Sequence, residues 1–168
     1  MPFPRSVESL LAANQGRATF VLRASLVAIA PSLLVFGVLG ALGIDKTLRV
    51  PLGALDKAFA AYSVLLAPAI ESAAMLALTA LVARLVPNRA ALQIVLVALV
   101  AALAHRIGGN WRQVALTAWP ILVYSTCLVL WWPRSAGDAF IVTTIVHAVY
   151  NAAIFVAGIV EALALPEG

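Results

Sequence analysis

The chain has 168 residues, 64% of them hydrophobic and 11% charged, which is short for two domains and far too apolar for an ordinary soluble one. One cysteine and two histidines exclude a disulfide scaffold, a cysteine-rich structural zinc site and c-type haem attachment. The net charge of +4 comes from basic residues scattered singly between apolar stretches, as in loops at lipid headgroups, so no nucleic-acid partner is expected.

About 20 consecutive apolar residues cross a bilayer core, and five nearly charge-free runs of that order follow one another. The first spans about 18–44, with Arg23 near enough to its start to snorkel to the interface. Charges return at Asp45, Lys46 and Arg49. The second, about 58–86, carries Glu71 almost at its centre and closes on Arg84, Pro87, Asn88 and Arg89, a helix stop followed by a turn. The third, about 90–107, reaches His105 and Arg106 and stops at Gly108-Gly109. The fourth, about 111–132, contains Pro120, a source of kinking. Its terminal tryptophans, Trp111, Trp131 and Trp132, read as an interfacial belt. The fifth, about 139–163, contains His147 and Asn151 in its first half.

These runs predict an all-α fold: one polytopic transmembrane bundle of about five helices filling residues 1–168, its surface in contact with membrane lipids. Open strands leave backbone groups unsatisfied in lipid, and the runs are too continuous for barrel alternation. No internal repeat or linker divides the chain, and the amino-terminal run is too long for a signal-peptide core. Alternating helices put Arg5, Arg17, Arg23, Arg84, Arg89 and Arg134 on one side and Lys46, Arg49, Lys57, Arg106 and Arg112 on the other. That difference gives the positive-inside rule nothing to choose by.

Ionisable residues inside spans cost about 2.5–3.5 kcal/mol each on insertion scales, so Glu71, His105 and His147, with the amide of Asn151, need partners or a function. His147 and Asn151 are one turn apart on the same helix face. At about 1.5 Å rise per residue, Glu71 and His147 fall at similar depth from opposite helix starts. Asn151 lies about one turn from that level and His105 nearer the membrane surface. Tyr150, beside the pair, reads as a packing residue on a different face. Pro68, three residues before Glu71, is placed to loosen its helix beside a water-filled cavity.

A carboxylate to deprotonate water, an imidazole to orient it, and an imidazole-plus-amide pair to hold an oxyanion are the parts needed to hydrolyse an amide without a covalent intermediate. The same residues admit plainer roles. Glu71 suits a structural pair with an Arg, Tyr or His, His105 an interfacial position beside Arg106, and His147 with Asn151 interhelical hydrogen bonds. No cofactor is expected. Zinc is a minor alternative, since two His and one Glu match a catalytic ligand set but lack the HExxH spacing.

Glu71, His105 and the run His147-Ala148-Val149-Tyr150-Asn151 resemble, in order and spacing, the CPBP family. These are the CAAX prenyl-endopeptidases and bacteriocin-processing enzymes, also called glutamic-type intramembrane proteases. The family motifs are EExxxR, FxxxH and HxxxN, each on a membrane helix. HxxxN is intact here, whereas Ser72 stands at the second glutamate, Leu76 at the arginine and Ala101 at the phenylalanine, the pattern of a divergent member. The resemblance implies that Glu71 activates water with His105, that His147 and Asn151 stabilise the oxyanion, and that the substrate is a peptide or protein tail cleaved near the membrane. It also implies an integral protein of the bacterial inner (cytoplasmic) membrane. A non-catalytic scaffold or immunity-type binder on the same fold, and a small proton-coupled transporter, are the alternatives.

Overall fold

The computed structural model describes residues 16–41, 57–109 and 111–164. Residues 42–44, which close the first expected span, lie outside them. The described chain is an all-α bundle with five helices long and apolar enough to cross a membrane. Helix α1 is Arg17–Ala41. Helix α2 is a continuous run of three segments, Lys57–Ala61, a π-helical Tyr62–Leu66 and Ala67–Leu85. Helices α3, α4 and α5 are Ala90–Gly108, Trp111–Trp131 and Ala136–Ala164.

Local chemistry explains each boundary. Helix α2 ends where Val86 N–H closes onto Val82 O at 2.9 Å and Pro87 follows. Asn88 turns the chain at φ 58°, a conformation asparagine tolerates better than most residues. The Gln93 side chain then donates back to Val86 O at 2.9 Å. At the other surface Gly109 makes the tight α3–α4 turn. A Cβ there would collide with the Gln113 side chain and come within 2.9 Å of His105 O. Ser135 caps α5, its Oγ accepting from Asp138 N–H at 3.3 Å, which is why that helix begins three residues earlier than the apolar pattern indicates. Asp138, in the first turn of α5, also takes an ion pair from Arg17 at the start of α1. The starts of α1 and α5 therefore share one membrane side, as alternation requires.

Helix α4 lies at the centre, packed against all four others. Small residues allow the close approach. Ala24 and Ala28 on α1, four apart, and Ala139 on α5 are completely buried, and Ala98 and Ala102 on α3 nearly so. Association in lipid depends on such tight van der Waals packing because apolar surface has no water to escape. Phe20 meets the Trp131 ring edge-on at 5.3 Å. Large apolar side chains such as Leu22, Leu26, Ile70 and Leu81 project outward, the surface expected of helices facing acyl chains.

One expectation about the terminal tryptophans is corrected. Trp131 is 1% exposed and belongs to the core, because α1 packs over its helix end. Trp119 sits within α4 and donates from Nε1 to Val27 O on α1 at 2.9 Å. Val27 is four residues before Pro31, which lies within α1. A proline has no N–H to give that carbonyl, and the indole fills the gap. Helix α4 itself continues through Pro120.

Candidate active site

Four helices enclose a cavity of about 310 Å³ whose lining includes Glu71, His105, His147 and Asn151. The residues singled out by their cost in lipid therefore share one space. Gln113 and Thr117, in the first turns of α4, also line it, so the cavity runs from mid-bundle toward the α3–α4 turn. Ala74, Ala101 and Ala104 leave it open between α2 and α3.

Glu71 is the meeting point. Its Oε2 lies 3.7 Å from His147 Nε2 on α5 and 4.0 Å from His105 Nε2 on α3. Both separations are too long for direct hydrogen bonds and short enough for one water to touch all three groups. The carboxylate is 45% exposed and the His147 side chain 7%. Glu71 thus faces the open cavity while His147 forms its wall.

The outer nitrogens of the two rings have different surroundings. His105 Nδ1 lies 3.0 Å from Ala101 O. A carbonyl can only accept, so the proton sits on Nδ1 and the neutral ring offers an Nε2 lone pair to the cavity. His147 Nδ1 is buried with no hydrogen-bond partner among the described residues. An orphaned lone pair is tolerated more readily than an orphaned N–H, which assigns the proton to Nε2, facing Glu71. One imidazole accepts and the other donates.

Tyr124 was not singled out by sequence, yet it is part of the wall. Its ring stacks on His147 with centroids 4.3 Å apart and planes at 23°. Tyr150 meets Tyr124 edge-on at 6.2 Å. Tyr150 also lines the cavity with His147 and Asn151, which corrects its reading as a residue on another face: positions 147, 150 and 151 lie on one helical stripe. A tyrosine in the middle of a span, where its hydroxyl is expensive, was the available signal for Tyr124.

Asn151 is already engaged. Its Nδ2 donates to Ser63 O in the π-helical segment of α2 at 2.9 Å, which leaves one amide hydrogen for the cavity. Ser72 is fully buried, Leu76 packs against the core and Ala101 lines the cavity. Among the described residues no group of three or more His, Cys, Asp and Glu converges closely enough to hold a metal ion. Cys127 is buried and unpaired. No family model matches this chain, and no curated protein and no solved structure is significantly similar to it.

Proposed function

We propose that the protein is a glutamic-type intramembrane endopeptidase that hydrolyses a peptide or protein tail at the cavity between its helices. The observation that carries this reading is the position of Glu71 Oε2, 3.7 Å and 4.0 Å from two imidazole nitrogens. A water held there donates one hydrogen to the carboxylate and is oriented by the His105 lone pair. On attack, Glu71 takes the proton as the water oxygen bonds to the peptide carbon. His147 Nε2–H, with the second amide hydrogen of Asn151, stabilises the oxyanion. Collapse of the tetrahedral intermediate breaks the C–N bond, and Glu71 returns its proton to the departing amine, so no covalent enzyme intermediate forms.

The resemblance to the CPBP family supports the same assignment from sequence order, and it implies the bacterial inner membrane as the location. The acid–arginine pair of that family has no counterpart, and the two imidazoles are the polar neighbours of Glu71 instead. The reading is tested in membranes of cells that produce the chain or its Glu71→Gln variant, by mass spectrometry of newly formed peptide termini. Termini that appear only with the wild type are expected. Identical sets from the two would leave the scaffold reading in its place.

A further inference from the structure

We propose that Asn151, besides the oxyanion role of its second amide hydrogen, positions the site: its side-chain amide replaces the backbone N–H that Pro68 lacks, and so ties the turn carrying Glu71 to the helix carrying His147. The register of α2 leads to this. In the π-helical segment the Ala67 N–H bonds to Tyr62 O, five residues back. The next bond in that register would run from residue 68 to Ser63 O, but position 68 is proline and has no N–H. Ser63 O receives the Asn151 Nδ2 hydrogen at 2.9 Å instead. Pro68 is fully buried and Ser63 half-buried, and a backbone carbonyl without a donor at membrane depth is costly.

The chain solves the same problem a second time by the same means. In α1 the carbonyl four residues before Pro31 belongs to Val27, and the Trp119 indole of α4 donates to it at 2.9 Å. Each of these two prolines thus leaves an acceptor free, and each acceptor is claimed by a side chain from another helix. Such a bond does what an uninterrupted helix cannot: it fixes the rotation and height of one helix against its neighbour. At Pro68 the consequence is local to the site. Glu71 is three residues beyond the proline, and His147 is one turn before Asn151, so the Ser63–Asn151 bond closes a short frame around the 3.7 Å approach of Glu71 to His147. Calling Glu71 a base rests on the hydrolase reading; the bond and its effect on geometry do not.

The test is a double-mutant cycle on the purified full chain in lipid nanodiscs, with Asn151→Leu, Pro68→Ala and the two combined. The Pro68→Ala substitution restores an N–H, and whether the segment stays π-helical or relaxes to α-helix, Ser63 O then has a donor within its own helix. Asn151→Leu is expected to lower the melting temperature by about 4 °C in the parent and by less than half as much in the Pro68→Ala background. The infrared carboxyl band of Glu71, assigned with Glu71→Gln, is expected to move in Asn151→Leu and to stay displaced in the double variant, where Ser63 O regains a donor but the tie between the helices is still missing. An equal loss of stability with or without Pro68 overturns the proposal, and so does a Glu71 band that Asn151→Leu leaves in place. Should Asn151→Leu alone fail to fold, recovery of folded double variant supports the latch and continued failure contradicts it. Neither readout needs a substrate, so a chain that cleaves nothing still tests the latch.

Discussion

Tyr124 lies flat against His147, ring centroids 4.3 Å apart, and this contact sets the plane in which the imidazole meets Glu71. The tyrosine is 2% exposed and its hydroxyl has no hydrogen-bond partner among the described residues. Ring and hydroxyl therefore make separable contributions. Tyr124→Phe keeps the stacking and removes an unpartnered polar atom, so it is expected to leave stability unchanged or raise it by about 1 kcal/mol. Tyr124→Leu removes the stacking surface and is expected to cost about 2–3 kcal/mol and to lower kcat more than it raises KM. Thermal unfolding in nanodiscs and cleavage kinetics distinguish the two variants; equal behaviour would show that the ring does not hold His147.

The attachment of α1 offers a second comparison. Arg17 pairs with Asp138, but the two side chains are 58% and 23% exposed, and exposed pairs contribute about 0–1 kcal/mol. Phe20, one turn further on, is buried against Trp131. Arg17→Ala is thus expected to cost under about 1 kcal/mol and Phe20→Ala about 3 kcal/mol, measured by thermal unfolding. The reverse order would mean that the ion pair, not ring packing, docks the first helix.

Metal content gives a third. Three donors bound tetrahedrally at about 2.0–2.1 Å from zinc stand about 3.3 Å from one another. The His147 and His105 nitrogens are 3.7 Å and 4.0 Å from Glu71 Oε2, both wider than that spacing. Purified protein is expected to carry well under about one zinc per chain and to keep any cleavage activity in the presence of a chelator. Stoichiometric zinc, with activity lost on chelation, would reassign the three residues as ligands.

Much of this architecture is written in local pattern. The second to fifth spans end within a few residues of where charge, proline and glycine interrupt the apolar runs, because the bilayer imposes a single length scale on all of them. Glu71, His105, His147 and Asn151 were legible for the complementary reason: polarity inside a span is costly enough to be informative wherever it occurs. What escaped depends on contacts between helices. Trp131 has the address of an interface anchor and becomes core where Phe20 of α1 and Arg134 pack on its ring. Pro68 announced a weakened helix, but the π-helical register, and with it the orphaned Ser63 carbonyl, depends on how the chain absorbs the missing N–H. Nothing local pairs Asn151 with Ser63. That requires α2 and α5 to pack at one particular height.

The central assignment is the role of Glu71, and hydrolysis of a peptide library by the purified protein in liposomes tests it most directly, with wild type and Glu71→Gln side by side and unfolding temperatures measured on the same samples. General acid–base groups contribute about 10²–10⁴-fold. Cleavage by the wild type that falls by at least about 10²-fold in Glu71→Gln, at an unchanged unfolding temperature, is the expected result. Equal cleavage by the two proteins, or a wild type that folds and cleaves nothing in the library, would contradict it.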